Sequence, residues 1–304
     1  MNKLIVVVGP TAIGKTSLAI AIAQHYGCEI ISADSRQFYQ EMTIGTAVPS
    51  LEEQAMMPHH FIQQISIHED YSVGKFEAEA LSHLDQLFQK NKVQVMVGGS
   101  GLYIDAITDG LDDFPKVSDE IKQMVNENYI QNGLTYLQNE LKNRDIDFYH
   151  KIKQDNPQTL QNPQRMMRYV SVCYAENKPY SSYLKKDKTT RNFTPIFIGL
   201  TAERDEIYQR INLRVDQMIN NGLLKEAESL YSHKENNALQ TVGYRELFDY
   251  FDGKITLEKA IEQIKQNTRR FSKRQLTWFK RNPAIKWFDN QAPVKNILAY
   301  IQEK

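Results

Sequence analysis

The first apolar run, LIVVV from Leu4 to Val8, shows no alternation with polar residues. An unbroken run of this length is expected of a parallel strand covered on both faces. Lys15 to Tyr26 reads as a helix, closed by Gly27 as a left-handed cap. Two further short runs, EIIS (29–32) and VQVMV (Val93 to Val97), read as strands. Strands alternating with helical segments predict a doubly wound parallel α/β sheet. The pattern changes at DGLDDFPKVSDE, an acidic, proline-containing stretch that reads as a boundary. From about Ile121 to Lys186 the pattern is polar and helical with no convincing strand. TPIFIGL (Thr194 to Leu200) brings back a buried strand, and helices are expected from there to the end. The fold class predicted is therefore α/β, with an all-α helical domain (113–190) inserted into a core made of 1–112 and 191–304.

Composition narrows this only slightly. Of 304 residues, 41% are hydrophobic and 24% charged, as in an ordinary globular chain. The 37 basic and 37 acidic side chains cancel, so any nucleic-acid binding needs a local basic patch. Two cysteines, Cys28 and Cys173, fit neither a disulfide framework nor a Cys-based zinc site, and read as reduced, buried thiols. The start, MNKLIVVVGP, has too short an apolar stretch for a signal peptide, and no stretch approaches the roughly 18 apolar residues a membrane span needs. A cytoplasmic, monomeric protein with no membrane association and no obligate protein partner is expected.

Chemistry enters at GPTAIGKT, Gly9 to Thr16, between the first strand and the first helix. The G-x-x-x-x-G-K-T spacing lets backbone N–H groups converge on phosphate oxygens. Lys15 adds a charge and the Thr16 hydroxyl is a ligand for Mg²⁺. The strand VQVMV, where a P-loop NTPase usually carries an Asp for Mg²⁺, instead runs into GGSGLY (98–103). Those glycines suit close approach to a ligand or simply a tight strand-to-helix turn. Asp34, after EIIS, sits where ligands bind in open α/β sheets, at the carboxyl ends of strands. It reads equally as a metal ligand, a general base or a helix cap.

Three more segments carry charge. In NPQRMMRYV, Asn162 and Pro163 start a helix that places Gln164 and Arg168 on one face, with Arg165 beside them. That pair suits base edges and phosphates, or merely a solvated face. Along ERDEIYQRINLRVDQM, Ile207, Ile211, Val215 and Met218 form a core stripe, with Arg210 and Arg214 on an adjoining face. From Lys265 to Lys286 there are eight Lys/Arg and no acid. This reads as one basic helix with Arg270, Lys273, Arg274 and Arg281 near one face and Phe271 and Trp278 toward the core. Such a stretch in a neutral chain points to a polyanion, RNA or DNA. His59 and His60 lack ligand-spaced partners, so no zinc is expected. On these residues alone a small-molecule kinase, a nucleic-acid-binding NTPase and a non-catalytic RNA-binding module all remain in play.

GPTAIGKT, ISADSRQFY, IGTAVP, PHHF, VGGSGLY, NPQRMMR, TVGYRE and TRRFSKRQLTWFKR together resemble the bacterial tRNA dimethylallyltransferases, in the family's order and over nearly the whole chain. The resemblance implies transfer of a dimethylallyl group from dimethylallyl diphosphate to N6 of the adenine 3′ of the anticodon, in tRNAs reading U-initial codons. It implies Asp34 as general base, with Lys15 and Ser100 also at the reacting centre. It implies a diphosphate (or nucleotide, ATP included) site at Gly9, Pro10, Thr11, Ala12, Ile13, Gly14, Lys15 and Thr16 with Arg214, and Mg²⁺ on Thr16. It implies tRNA contacts at Asp34, Ser35, Arg36, Gln37, Gln164, Arg165, Met166, Met167, Arg168, Lys273 and Arg274. Eukaryotic members carry a further zinc finger whose Cys/His pairs are not found here, which points to the bacterial branch.

Overall fold

The computed structural model describes residues 1–184 and 189–304. Lys185 and Lys186, the end of the predicted helical block, lie outside the described residues with Asp187 and Lys188. The chain forms two compact units, Met1–Gly110 with Thr190–Lys304, and Leu111–Thr189.

The first unit is built on a wholly parallel sheet. Its strands are β1 (Asn2–Val8), β2 (Ile30–Ser32), β3 (His59–His60), β4 (Val93–Gly98), β5 (Phe193–Thr201) and β6 (Lys286–Asp289), in the order β3-β2-β4-β1-β5-β6. The helices of this unit that precede the inserted segment are α1 (Lys15–Tyr26), α2 (Leu51–Met56), α3 (Val73–Lys90) and α4 (Gly101–Asp109). The unbroken apolar run in β1 is explained by burial on both faces. Leu4, Val6 and Val8 join one core, whereas Ile5 and Val7 join another on the opposite face. β5 divides likewise, with Phe193 and Phe197 in the first core and Ile196, Ile198 and Leu200 in the second. α3 shows how a surface helix is anchored. The Ser72 side chain accepts the Lys75 N–H, and Phe76, Ala80, Leu84 and Leu87 face the core at helical spacing.

The second unit holds α5 (Asp119–Arg144), α6 (Ile146–Asp155) and α7 (Pro163–Glu176). Gly133, at φ 70°, breaks the helical course inside α5. Val125, Leu137, Leu141, Ile152, Met166, Val170 and Cys173 make its core, and Phe114, Phe148 and Tyr180 stack beside it. Buried Asp145 holds two backbone donors, Phe148 N–H at 3.1 Å and Ser181 N–H at 2.6 Å.

The remaining helices are α8 (Arg204–Asn220), α9 (Leu223–Leu230), α10 (Tyr244–Phe251), α11 (Leu257–Phe279) and α12 (Val294–Gln302). Here the structure corrects the sequence reading twice. The basic helix stops at Phe279, where Arg281 N–H turns back to Trp278 O and Asn282-Pro283 blocks continuation. Arg281 therefore lies off the helix. The chain does not stay helical to its end, because Lys286–Asp289 pairs with β5 as an edge strand. Its sequence, KWFD, is too short and too charged to show as a strand pattern.

Candidate active site

The carboxyl ends of β1, β2 and β4 converge on one crevice. After β1 the loop turns through left-handed backbone at Ala12 (φ 64°) and Gly14 (φ 105°), and α1 begins at Lys15. Left-handed residues next to a helix N-terminus make a concave nest of N–H groups suited to an anion. The loop is braced by its own lysine and by two other helices. Lys15 Nζ donates to Pro10 O at 2.8 Å. From α8, Arg210 Nε donates to Ala12 O at 2.8 Å and Arg214 reaches Thr11 Oγ1 at 3.4 Å. From α11, the Gln275 Oε1 accepts the Thr11 N–H at 2.9 Å.

Asp34 follows β2, recessed and half-buried. Its Oδ1 accepts the Arg36 N–H at 3.2 Å, so it stabilises a turn and caps no helix. Burial pushes its carboxyl up from the usual carboxylate range, while the Arg36 N–H, Lys15, Arg36 and Arg214 pull the other way. Burial likewise brings Lys15 down to about 8, with Asp34 opposing and Arg214 reinforcing the shift. Asp34 and Lys15 thus sit within each other's field. Beyond β4, Ser100 Oγ accepts the Ser35 N–H at 3.0 Å and donates to Ser35 Oγ at 3.1 Å, tying the GGSG turn to the Asp34 loop.

A cavity of about 520 Å³ opens here, within the size range of roughly 300–1,000 Å³ usual for small-molecule sites. Its polar lining includes Thr11, Asp34, Ser100 and Arg214, and its apolar lining Val215, Met218, Leu223, Val242 and Phe271. Ser35, Arg36 and Arg274 also line it. One wall, Gly45 to Ala47, is fixed by Glu226, whose carboxylate accepts the N–H groups of Thr43, Ile44 and Gly45 and the Tyr244 hydroxyl. Gln37 holds the same wall, donating to Thr46 O and Ala47 O while accepting from Ser32 Oγ. Its amide is thereby committed within the protein. The Arg36 guanidinium donates to Asn237 O and Ala238 O.

The other sequence-derived residues fall in several environments. Gln164, Arg165 and Arg168 are exposed on the first turns of α7, with Asn162 Oδ1 accepting the Arg165 N–H and Arg168 over the Phe114 ring. Met166 is fully buried in the core of its unit, and Met167 packs against that core. The Met166 side chain is a packing residue. Lys273 and Arg274 are exposed on α11. Phe271, assigned to the core from its spacing with Trp278, is 38% exposed and lines the cavity. The GGSG glycines make room for neighbouring protein groups: a Cβ on Gly98 would lie 2.3 Å from Ala33 O, on Gly99 2.2 Å from Gln275 Nε2, and on Gly101 2.2 Å from the Trp278 ring, while Gly99 and Gly101 also line the cavity. His60 pairs with Glu29 at 2.6 Å and packs on His83, on the outer strand of the sheet. Two groups escaped sequence reasoning, Gln275 and Glu226. An uncharged side chain in a basic helix carries no motif signal, and Glu226 looks like any surface acid until Tyr244 and the 43–45 backbone are seen around it.

Among the described residues no group of three His, Cys, Asp or Glu is placed to hold a metal ion. What the crevice offers is the Thr16 hydroxyl beside the nest and the Asp34 carboxylate. That donor set fits Mg²⁺ arriving on a diphosphate, since Mg²⁺ keeps most of its shell from phosphate oxygens and water.

The chain matches the family model described as IPP transferase over residues 37–282. It is 61% identical to a tRNA dimethylallyltransferase of Flavobacterium psychrophilum, across 100% of this chain and 99% of the relative. A tRNA dimethylallyltransferase 1 of Bacteroides fragilis is 45% identical over 99% of this chain and 98% of its own. These matches take in Gly9–Thr16 and Asp34, which precede the family-model match. Among solved structures, a tRNA isopentenylpyrophosphate transferase of Bacillus halodurans superposes with a TM-score of 0.72 at 33% identity, covering 100% of this chain and 96% of that one. A eukaryotic dimethylallyltransferase acting on tRNA gives 0.81 at 26% identity, covering 96% and 75%. A strand-end crevice without the NTPase aspartate, matched over its whole length to these proteins, places this chain in the IPP transferase family.

Proposed function

We propose that the protein transfers the dimethylallyl group of dimethylallyl diphosphate to N6 of the adenine 3′-adjacent to the anticodon, in tRNAs reading U-initial codons. The products are N6-isopentenyladenosine and diphosphate. The observation that carries this reading is the meeting of a phosphate-binding loop, a recessed carboxylate and an apolar wall around one cavity.

Adenine N6 is a poor nucleophile, because its lone pair is drawn into the ring. It attacks the allylic carbon as the carbon–oxygen bond to diphosphate breaks and the N6 proton passes to Asp34. A carboxylate whose pKa is raised by burial is a stronger base than a solvated one, and a positioned base contributes roughly 10²–10⁴-fold. The departing diphosphate carries growing negative charge, which Lys15, Arg214 and the loop N–H groups of Ala12 to Thr16 would stabilise. Mg²⁺ held by Thr16 and the diphosphate oxygens would add positive charge at the same place. Val215, Met218, Leu223 and Phe271 would shelter the five-carbon group from water, which otherwise hydrolyses a cation-like allylic centre. Ser100, hydrogen-bonded to Ser35 next to Asp34, would meet the adenine as it approaches.

For tRNA, the reading uses Ser35 and Arg36 at the cavity, exposed Lys273 and Arg274 on α11, and Gln164, Arg165 and Arg168 on α7. A loop adenine is already partly unstacked, so drawing it into a pocket costs only a few kcal/mol. No helix among the described residues is long and apolar enough to cross a membrane, and the cytoplasm is where such a substrate is met.

The test is to incubate the protein and Mg²⁺ with an unmodified anticodon stem-loop and dimethylallyl diphosphate labelled in the prenyl carbon. The label is expected in N6-isopentenyladenosine after nuclease digestion. Label that stays out of the RNA while labelled ATP phosphorylates a small molecule would instead make this a kinase.

A further inference from the structure

We infer that Gln275 is a positioning residue that sets the distance between the leaving-group loop and the base-bearing wall. The inference rests on the reading of the cavity above. Gln275 is 5% exposed and buried between two loops that meet nowhere else through a side-chain amide in the described residues. Its Oε1 accepts the Thr11 N–H at 2.9 Å, and its Nε2 donates to Gly99 O at 3.0 Å. The tie continues outward on one side, because Ser100, next to Gly99, holds the Ser35 N–H, and Ser35 follows Asp34. On the other side Thr11 is gripped again by Arg214. One amide therefore links the two halves of the reaction, phosphate departure and proton acceptance.

The glycine at position 99 belongs to the same device. The atoms nearest to a Cβ built there are Gln275 Nε2 at 2.2 Å, Gln275 Cδ at 3.4 Å and Asp34 Oδ2 at 3.9 Å. A side chain at position 99 would crowd Gln275 first. Because Gln275 spends the Thr11 N–H, it also fixes which loop amides remain to face a diphosphate. It touches neither reacting atom, so it acts through Thr11 and Gly99. A displacement of about 1 Å at such a site costs on the order of 10²-fold in rate.

The test is a double-mutant cycle on the intact protein. Gln275→Ala and Gly99→Ala singly should each lower kcat for prenyl transfer by about 10²-fold, with tRNA affinity kept within about threefold. The pair together should cost no more than Gln275→Ala alone, since removing the amide removes the closest contact, 2.2 Å, of a Cβ at position 99 and leaves Asp34 Oδ2 at an ordinary 3.9 Å. Gln275→Glu adds a readout that packing alone would not move. Its carboxylate opposes Gly99 O, but once protonated it restores both hydrogen bonds. Its rate relative to wild type should therefore rise as pH falls. Multiplicative losses in the pair, a parallel loss of tRNA affinity, or a flat relative pH profile would assign Gln275 to packing only. Calorimetry with inorganic diphosphate and Mg²⁺ separates this from the function itself. Weaker diphosphate binding in Gln275→Ala supports the tie even if wild type fails to prenylate RNA, and unchanged binding there overturns it.

Discussion

Asp34 and Lys15 shift each other's titration in a buried crevice, and on the proposed mechanism their protonation states bound the pH range of activity. In that mechanism Asp34 must be deprotonated to accept the N6 proton. Its pKa is raised, so activity is lost as pH falls through a point above the ordinary carboxylate value of about 4. Lys15 must be protonated to hold the diphosphate. Its pKa is lowered to about 8, so affinity for the diphosphate substrate is lost as pH rises past that value. A bell-shaped profile of kcat/KM is expected, and Asp34→Asn should abolish its acid limb while lowering kcat by roughly 10²–10⁴-fold. An acid limb that survives in the variant would move the base elsewhere. At this scale the sequence was partly legible. G-x-x-x-x-G-K-T declares a phosphate site through spacing, because phosphate binding needs backbone and charge in fixed order, whereas spacing alone left Asp34 open between metal ligand, base and cap. The GGSG stretch was ambiguous because glycine marks only the absence of a Cβ, and what fills the space (Ala33, Gln275 and Trp278) comes from segments far along the chain.

Helix α11 shows what periodicity can and cannot deliver. Its existence and basic character were plain from composition, whereas its end and its inward face were not. The buried positions include Ile264, Ser272, Gln275 and Phe279, a stripe that mixes polar and apolar side chains because it must both pack and tie two loops. Phe271 is apolar yet faces the cavity, so a rule that sends aromatics to the core misplaces it. Lys273 and Arg274 remain exposed beside it. Replacing both by Ala should weaken tRNA binding and flatten its dependence on salt, by about 0.7–0.9 in the log–log slope for each phosphate contact removed. Equal slopes for variant and wild type, measured by filter binding across salt concentrations, would take this helix out of the RNA site. β6 escaped notice for a related reason. A four-residue edge strand gains its identity from pairing with β5 and not from its own pattern.

Taken whole, the chain divides into a sheet-based unit and a helical one, and each holds one buried cysteine. Cys28 belongs to the first, with its thiol pushed up to about 12 by burial, and Cys173 to the second, also shifted up by burial. The native protein should therefore give no rapid reaction with a thiol reagent, and in rising denaturant each cysteine should report the opening of its own unit. Fast labelling of either thiol without denaturant would contradict the burial seen here. Met166→Ala, which empties a site in the helical core, should cost about 2–5 kcal/mol and expose Cys173 at lower denaturant than Cys28. The change from strand-and-helix to purely helical pattern near residue 111 was legible, because a buried parallel strand and a polar helix differ in period and composition. The cavity was not, since its lining is gathered from β-strand ends and from α8 and α11, which sequence order does not bring together. The central claim is that the loop Gly9–Thr16 holds a group the reaction discards. Its most direct measurement is the ratio of diphosphate released to prenyl label gained by tRNA, with the β-phosphorus and the prenyl carbon of dimethylallyl diphosphate both labelled. One diphosphate released per isopentenyl group, with no phosphorus in the RNA and both quantities falling together in Asp34→Asn, is the predicted result. Diphosphate release without carbon transfer, or phosphorus entering the RNA, would contradict it.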